Sequence, residues 1–258
     1  MWALLNQQAK RSPPKGFEEF LSGKWAAEGR SHLRLADKRV FSLIAKTSEK
    51  LVGDTYRRDL SGVDSENRLA ELLCEISLVD ALGGISSVPP VLRPKTEIGT
   101  ECDVKVVIEG HVLYGESKRL ADSWEGGVRS IAKSPPESKP HDTARPRAMD
   151  LFSKLKDAHR QFPRDALNVL FLFHRSVWNT PLYINQALFG DASAFDESRQ
   201  PFLHGDGLYS LAGWQEISAC AHSRVNSDGR LSIVQIWKNP RANVTLPDSV
   251  SERLAAAG

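Results

Sequence analysis

The sequence predicts an α/β domain in which a mixed sheet is covered by helices on both sides. Three observations carry that prediction. The stretch "CDVKVVIEGHVLYGESKRL" (102–120) alternates like two strands around a tight turn. "ALNVLFLF" (166–173) is a continuous apolar run of strand length, as expected of a central strand covered on both faces. Segments with helical periodicity stand before the first of these and between the two.

In chain order, residues 1–55 form an N-terminal extension with helical spacing at Phe17, Phe20, Leu21 and Trp25, and again at Val40, Leu43 and Ile44. The α/β domain occupies 56–258. In "SGVDSENRLAELLCEISLVDALGG", Asp64 or Ser65 is suited to cap a helix that Gly83-Gly84 ends. On a helical wheel Leu69, Leu72, Leu73, Ile76 and Val79 share a face. Glu66 falls at the margin of that face, and Glu71 and Glu75 fall on the opposite, solvent side. "SVPPVLRPK" is broken by prolines and reads as an edge strand.

Residues 121–146 are rich in Pro, Ser, Gly and charge, which suits a lid or a segment ordered by substrate. Residues 147–162 read as an amphipathic helix with Leu151, Phe152, Leu155 and Ala158 inward and Lys154, Lys156, Arg160 and Gln161 outward. Helical stretches are expected around 181–190 and 207–222. A strand at 231–237 then precedes a polar tail.

Composition excludes several classes. Hydrophobic residues at 41% and charged residues at 26% are ordinary for a globular chain. No apolar run approaches the roughly 20 residues that span a bilayer, and the N-terminus lacks the pattern of a signal peptide. The three cysteines are odd in number and widely spaced, which argues for a reducing, cytoplasmic setting. No phosphate-binding P-loop, dinucleotide fingerprint, H-E-x-x-H pair, C-x-x-C pair or serine nucleophile elbow is present. His141 and His174 stand out by position only, and Trp124, in the basic loop, is the best candidate for stacking on a base. Net charge is +2, yet residues 118–164 hold eleven Lys/Arg against six Asp/Glu, and residues 10–50 hold ten against five. Such local excess suits a polyanion.

The chemistry lies in the hairpin. A charged side chain on a covered sheet face costs several kcal/mol, order of magnitude, unless it is paired, hydrated or bound to metal. Asp103 and Glu116, on neighbouring strands, converge if the register sets them opposite one another. Two converging carboxylates repel, and a hard divalent cation relieves the repulsion. Mg²⁺ suits one or two carboxylates completed by water and substrate phosphate, and Mn²⁺ is its natural substitute. Lys118, on the face of Glu116, is placed to stabilise charge on a phosphate.

Asp103, a twelve-residue gap and then Glu116-Ser117-Lys118, with a glutamate on the preceding helix, resemble the PD-(D/E)XK nuclease superfamily. The resemblance covers roughly residues 60–175 and lacks the motif's proline, since Cys102 precedes Asp103. It implies a restriction-endonuclease-like αβββαβ core. It also implies Mg²⁺-dependent hydrolysis of nucleic acid phosphodiesters, DNA rather than RNA, with Asp103 and Glu116 as metal ligands and Lys118 at the phosphate. "ENRLAELL" is similar to the first-helix segment of Mrr-like restriction endonucleases and matches the family glutamate to Glu66, which the wheel reaches separately. Glu71 is second choice. Arg119, Lys154, Lys156 and Arg160 would grip the nucleic acid backbone. The family implies restriction, phage defence or repair as the setting, with a homodimer or a separate ATPase subunit as further partners and no membrane. A catalytically silent module that keeps the fold and binds nucleic acid or protein is the alternative.

Overall fold

The computed structural model describes residues 56, 59–60, 62–97, 99–120, 148, 150–174, 180–190, 207–225 and 231–257, and only the backbone at 66, 67 and 180. The N-terminal extension to residue 55, the 121–146 segment with Trp124 and His141, and Trp178 lie outside the described residues.

Helix α1 (Glu66–Ile85) starts at Ser65, whose hydroxyl accepts from the backbone N–H of Arg68 at 3.3 Å. It runs through the two glycines expected to stop it, and ends at Ser86. Strands β1 (Val91–Leu92), β2 (Val104–Ile108) and β3 (His111–Arg119) follow. The β2–β3 turn is Glu109-Gly110, both at positive φ (50° and 79°), the two-residue geometry that matches strand twist.

After β3, residues 150–155 are helical and a 3₁₀ turn spans Ala158–Gln161. Then come β4 (Leu167–Phe173), α2 (Thr180–Phe189), 3₁₀ turns at Leu208–Ser210 and Trp214–Glu216, β5 (Ala219–Val225), β6 (Leu231–Lys238) and α3 (Asp248–Ala255). The helix expected over 147–162 stops at Leu155 and gives way to the 3₁₀ turn at Ala158–Gln161, and two further expectations fail. The helix expected over 207–222 is a pair of 3₁₀ turns leading into β5, and the polar tail contains α3. In the first case burial on both faces makes a strand of "ACAHSRV" despite its few β-branched residues. In the second, Val250 and Leu254, one turn apart and fully buried, dock a short helix onto the core.

The six strands form one open mixed sheet in sequential order. β1–β2, β2–β3 and β5–β6 are antiparallel, and β3–β4 and β4–β5 are parallel. Alternation divides the core in two. Val104, Val106, Ile108, Leu113, Val169 and Phe171 pack with α1 and α3 on one face. Leu170, Leu172 and Cys220 pack with Leu151, Leu155, Tyr183 and Trp214 on the other. Every residue of β4 is buried, as its apolar run requires. Gly115 on β3 lets α1 approach closely. A Cβ there would meet Val104, Leu82 and Phe171 at 3.1–3.3 Å. Among the described residues no helix is long and apolar enough to cross a membrane, and the three cysteines are buried and form no disulfide.

Candidate active site

The hairpin is not an exposed edge. β2 lies between β1 and β3, and β3 lies between β2 and β4, so its charged residues sit in the interior of the sheet. Val104 pairs with Gly115, which sets Asp103 across from Glu116, one step beyond the end of β2. The backbone N–H of Asp103 donates to Glu116 Oε2 at 3.1 Å. Asp103 Oδ2 in turn accepts from the backbone N–H and the hydroxyl of Ser117, both at 2.6 Å. Lys118 Nζ donates to Glu116 Oε1 at 2.8 Å. The two acids are therefore fixed by each other's strand, and Lys118 is fixed on one of them.

Electrostatics follow from the burial. Glu116 is only 3% exposed. Desolvation first, and the charge of Asp103 second, push its carboxyl up to about 7, while Lys118 pulls the other way. Asp103 is raised to about 6, by desolvation and then by Glu75, against the stabilising hydrogen bonds from Ser117 and the charge of Lys118. Such a pair holds its second negative charge reluctantly unless a cation shares the site.

The third acid in this field is Glu75 of α1, which corrects its expected solvent-facing position. It is 6% exposed and is held by Arg93, whose Nε and Nη2 donate to its two oxygens at 2.8 and 3.0 Å. Arg93 also pairs with Asp59, lies 5.5 Å over the Tyr56 ring, and donates its backbone N–H to Asp103 O at 2.9 Å. It does so at φ 44°, a left-handed conformation that costs a side-chain-bearing residue on the order of 1–2 kcal/mol. Burial, then the negative charges of Glu75 and Asp103, drive the Tyr56 phenol upward.

The wheel misplaced Glu75 because it assumed a helix with one wet face. α1 is buried from Cys74 to Val79 without interruption: the sheet packs against it, and Arg93, itself held by Asp59 and Tyr56, closes over Glu75. The signal was present: Leu78 and Leu82 lie on the side of the wheel assigned to solvent, next to Glu75. Glu66 is the first residue of α1, and its side chain is outside the described residues. Glu71 is about half exposed and pairs with Arg68 at 3.1 Å, away from the acids.

The basic residues are more scattered. Lys154 and Arg160 are exposed and pair with Asp150 and Asp157 at 2.7 and 3.1 Å, Lys156 is exposed, and Arg119 is half-buried at the end of β3. A cavity of about 780 Å³ lined by Lys105, His111, Tyr114, Asp165 and Asn243 opens at the opposite end of β3 from Glu116 and includes none of the three acids.

No family model, curated protein or solved structure matches the chain. The site must be read from its own chemistry. Among the described residues no group of three or more His, Cys, Asp or Glu is arranged to hold a metal ion. What the fold does bring together is the buried Glu116 carboxylate and the half-buried one of Asp103, hard oxygen donors of the kind Mg²⁺ takes in pairs with water and substrate oxygens. By donor type and charge the pair fits that ion, as a two-carboxylate site rather than a protein cage.

Proposed function

We propose that this chain is a Mg²⁺-dependent nuclease that hydrolyses DNA phosphodiester bonds. The observation that carries the proposal is the Asp103–Glu116 pair, half-buried and buried in turn, set across adjacent interior strands with Lys118 at 2.8 Å from Glu116. The element order α1, β1, β2, β3, helical segment, β4 supports a restriction-endonuclease-like core, with the acid-x-lysine sequence on its third strand.

In this reading Asp103 and Glu116 hold the cation, and Ser117 fixes the orientation of Asp103. A bound Mg²⁺ would supply a polarised phosphoryl oxygen and a more acidic water. Lys118 exchanges Glu116 for the substrate and stabilises the negative charge that develops on the phosphate. Water oxygen bonds to phosphorus, the bond from phosphorus to the leaving sugar oxygen breaks, the water's proton passes to solvent, and the leaving oxygen takes a proton from solvent to depart as an alcohol. Arg93 and Glu75 act on the reaction through the backbone and field at Asp103. The exposed Lys154, Lys156 and Arg160, with Arg119, give the nucleic acid a cationic approach that weakens with salt. Restriction, phage defence or repair in the cytoplasm, as a homodimer or with an ATPase subunit, is the setting proposed with this activity.

The Lys118–Glu116 ion pair also favours a second reading, a module of the same fold that binds nucleic acid without cutting, because it ties up both groups. Cleavage of plasmid, single-stranded DNA and RNA with and without Mg²⁺, by wild type and Lys118→Ala, separates the two. The nuclease reading expects Mg²⁺-dependent cutting of DNA that falls by a factor of roughly a hundred or more in the variant. Identical behaviour of the two proteins on all three substrates overturns it.

A further inference from the structure

The sheet face that carries Glu116 and Lys118 also carries a histidine that the proposed chemistry does not use. Lys118 pairs across to Leu172, and Leu172 to His222, so the three stand in one row on one face. Two strand spacings put His222 about 10 Å from Lys118. Alternation adds two more residues to this face: His174, directly after β4, and Arg224, two past His222 on β5. The backbone N–H of His174 donates to Ser223 O at 3.1 Å, which locks the ends of β4 and β5 together, and its ring meets Tyr183 of α2 edge-on at 6.4 Å.

His222 is 1% exposed, and neither of its ring nitrogens has a hydrogen-bond partner. Native proteins seldom leave both polar atoms of a buried ring unmet, and such a group points to something that is bound there. The surroundings say what kind of ligand. Burial first, then His174 and Arg224, hold the ring down to about 4, so it is neutral at pH 7 with one N–H to donate and positively chargeable neighbours beside it. Arg224 is exposed and leads out from the buried ring to solvent. His174 and Arg224 also lie at the carboxyl ends of parallel strands β4 and β5, where open α/β sheets place their ligands, with His222 one turn of the alternation behind Arg224.

We propose that His222, His174 and Arg224 form a phosphate-binding subsite that takes a backbone phosphate of the nucleic acid beyond the one held at Lys118. The identity of the occupant rests on the nuclease reading. The subsite itself rests on the unpaired imidazole and its basic neighbours. Arg224 meets the phosphate at the surface with its planar fork, and the His222 N–H reaches it from below. A metal-bound phosphodiester strand would bring a cation to the carboxylate half of this face and an anion to the half that carries His222 and Arg224.

The test uses the full chain in EDTA, so that nothing is cut. Histidine ring resonances are followed by ¹H–¹⁵N NMR during titration with inorganic phosphate and, separately, with a short DNA oligonucleotide. The His222 ring is expected to shift saturably with both, with phosphate competing against the oligonucleotide. Arg224→Ala and His222→Gln, each checked for unchanged spectral dispersion, are expected to bind roughly tenfold more weakly. A ring that responds to neither probe overturns the subsite, and a response to inorganic phosphate alone overturns its assignment to the nucleic acid backbone. Saturable shifts in a wild type that never cleaves DNA sustain the subsite and remove the nuclease reading. Cleavage with the same kcat/KM in wild type and both variants does the reverse.

Discussion

Replacing Glu116 with glutamine is expected to stabilise the metal-free protein at pH 8 while it abolishes the proposed activity. Holding this carboxyl near 7 instead of its ordinary 4.5 means that ionising it inside the fold is unfavourable. At about 1.4 kcal/mol per tenfold change in proton affinity, the penalty is on the order of 3 kcal/mol once pH exceeds 7. The sign is fixed by which state gives up its proton first. Below 4.5 both states are protonated and no penalty exists. Between 4.5 and 7 the unfolded chain ionises and the folded chain does not, so stability falls as pH rises. Above 7 the loss is complete. Glutamine mimics the protonated acid at every pH. Its loss of the Lys118 ion pair subtracts little, because that ammonium is 32% exposed. The variant's advantage should therefore be near zero at pH 4.5 and about 1–3 kcal/mol at pH 8, or roughly 5 °C in Tm for a domain of this size. Thermal unfolding of both proteins in EDTA at pH 4.5 and pH 8 measures it. A variant less stable than wild type at pH 8, or a difference equal at both pH values, would show that the acid pair is not under the strain described.

Two further substitutions test the frame around the pair. Gly115→Ala forces a methyl between Val104, Leu82 and Phe171, and should lower stability by about 1–3 kcal/mol in chemical denaturation, with unchanged stability showing that α1 is not tightly seated on β3. Arg93→Ala leaves Glu75 buried without its counter-charge and should cost about 3–5 kcal/mol, of which Glu75→Gln in the same chain restores a part; a double variant no more stable than Arg93→Ala would place the cost elsewhere.

Much of the hairpin could be read from residues alone. Two-residue alternation and the Glu109-Gly110 turn set the register, the register sets Asp103 against Glu116, and β4, apolar but for Asn168, announces itself as central. Ser65 was readable as a cap because its hydroxyl and its place before an apolar-periodic run satisfy a local rule. What failed depended on neighbours distant in sequence. Glu75 is inside because Arg93, 18 residues later, folds over it and pairs with both of its oxygens. Cys220 and His222 are in a strand because β4 and β6 pair on both sides of it, not because of their own preference. His222 is illegible for the same reason, since its place in one row with Lys118, across Leu172, exists only once three strands are ordered.

The decisive measurement is the anomalous diffraction of a crystal soaked in Mn²⁺. One strong peak within coordination distance of carboxylate oxygens of both Asp103 and Glu116, absent from Glu116→Gln crystals, is the predicted result. Wild-type crystals with no peak there, or with Mn²⁺ bound only at other surfaces, would contradict a shared cation and with it the proposed chemistry.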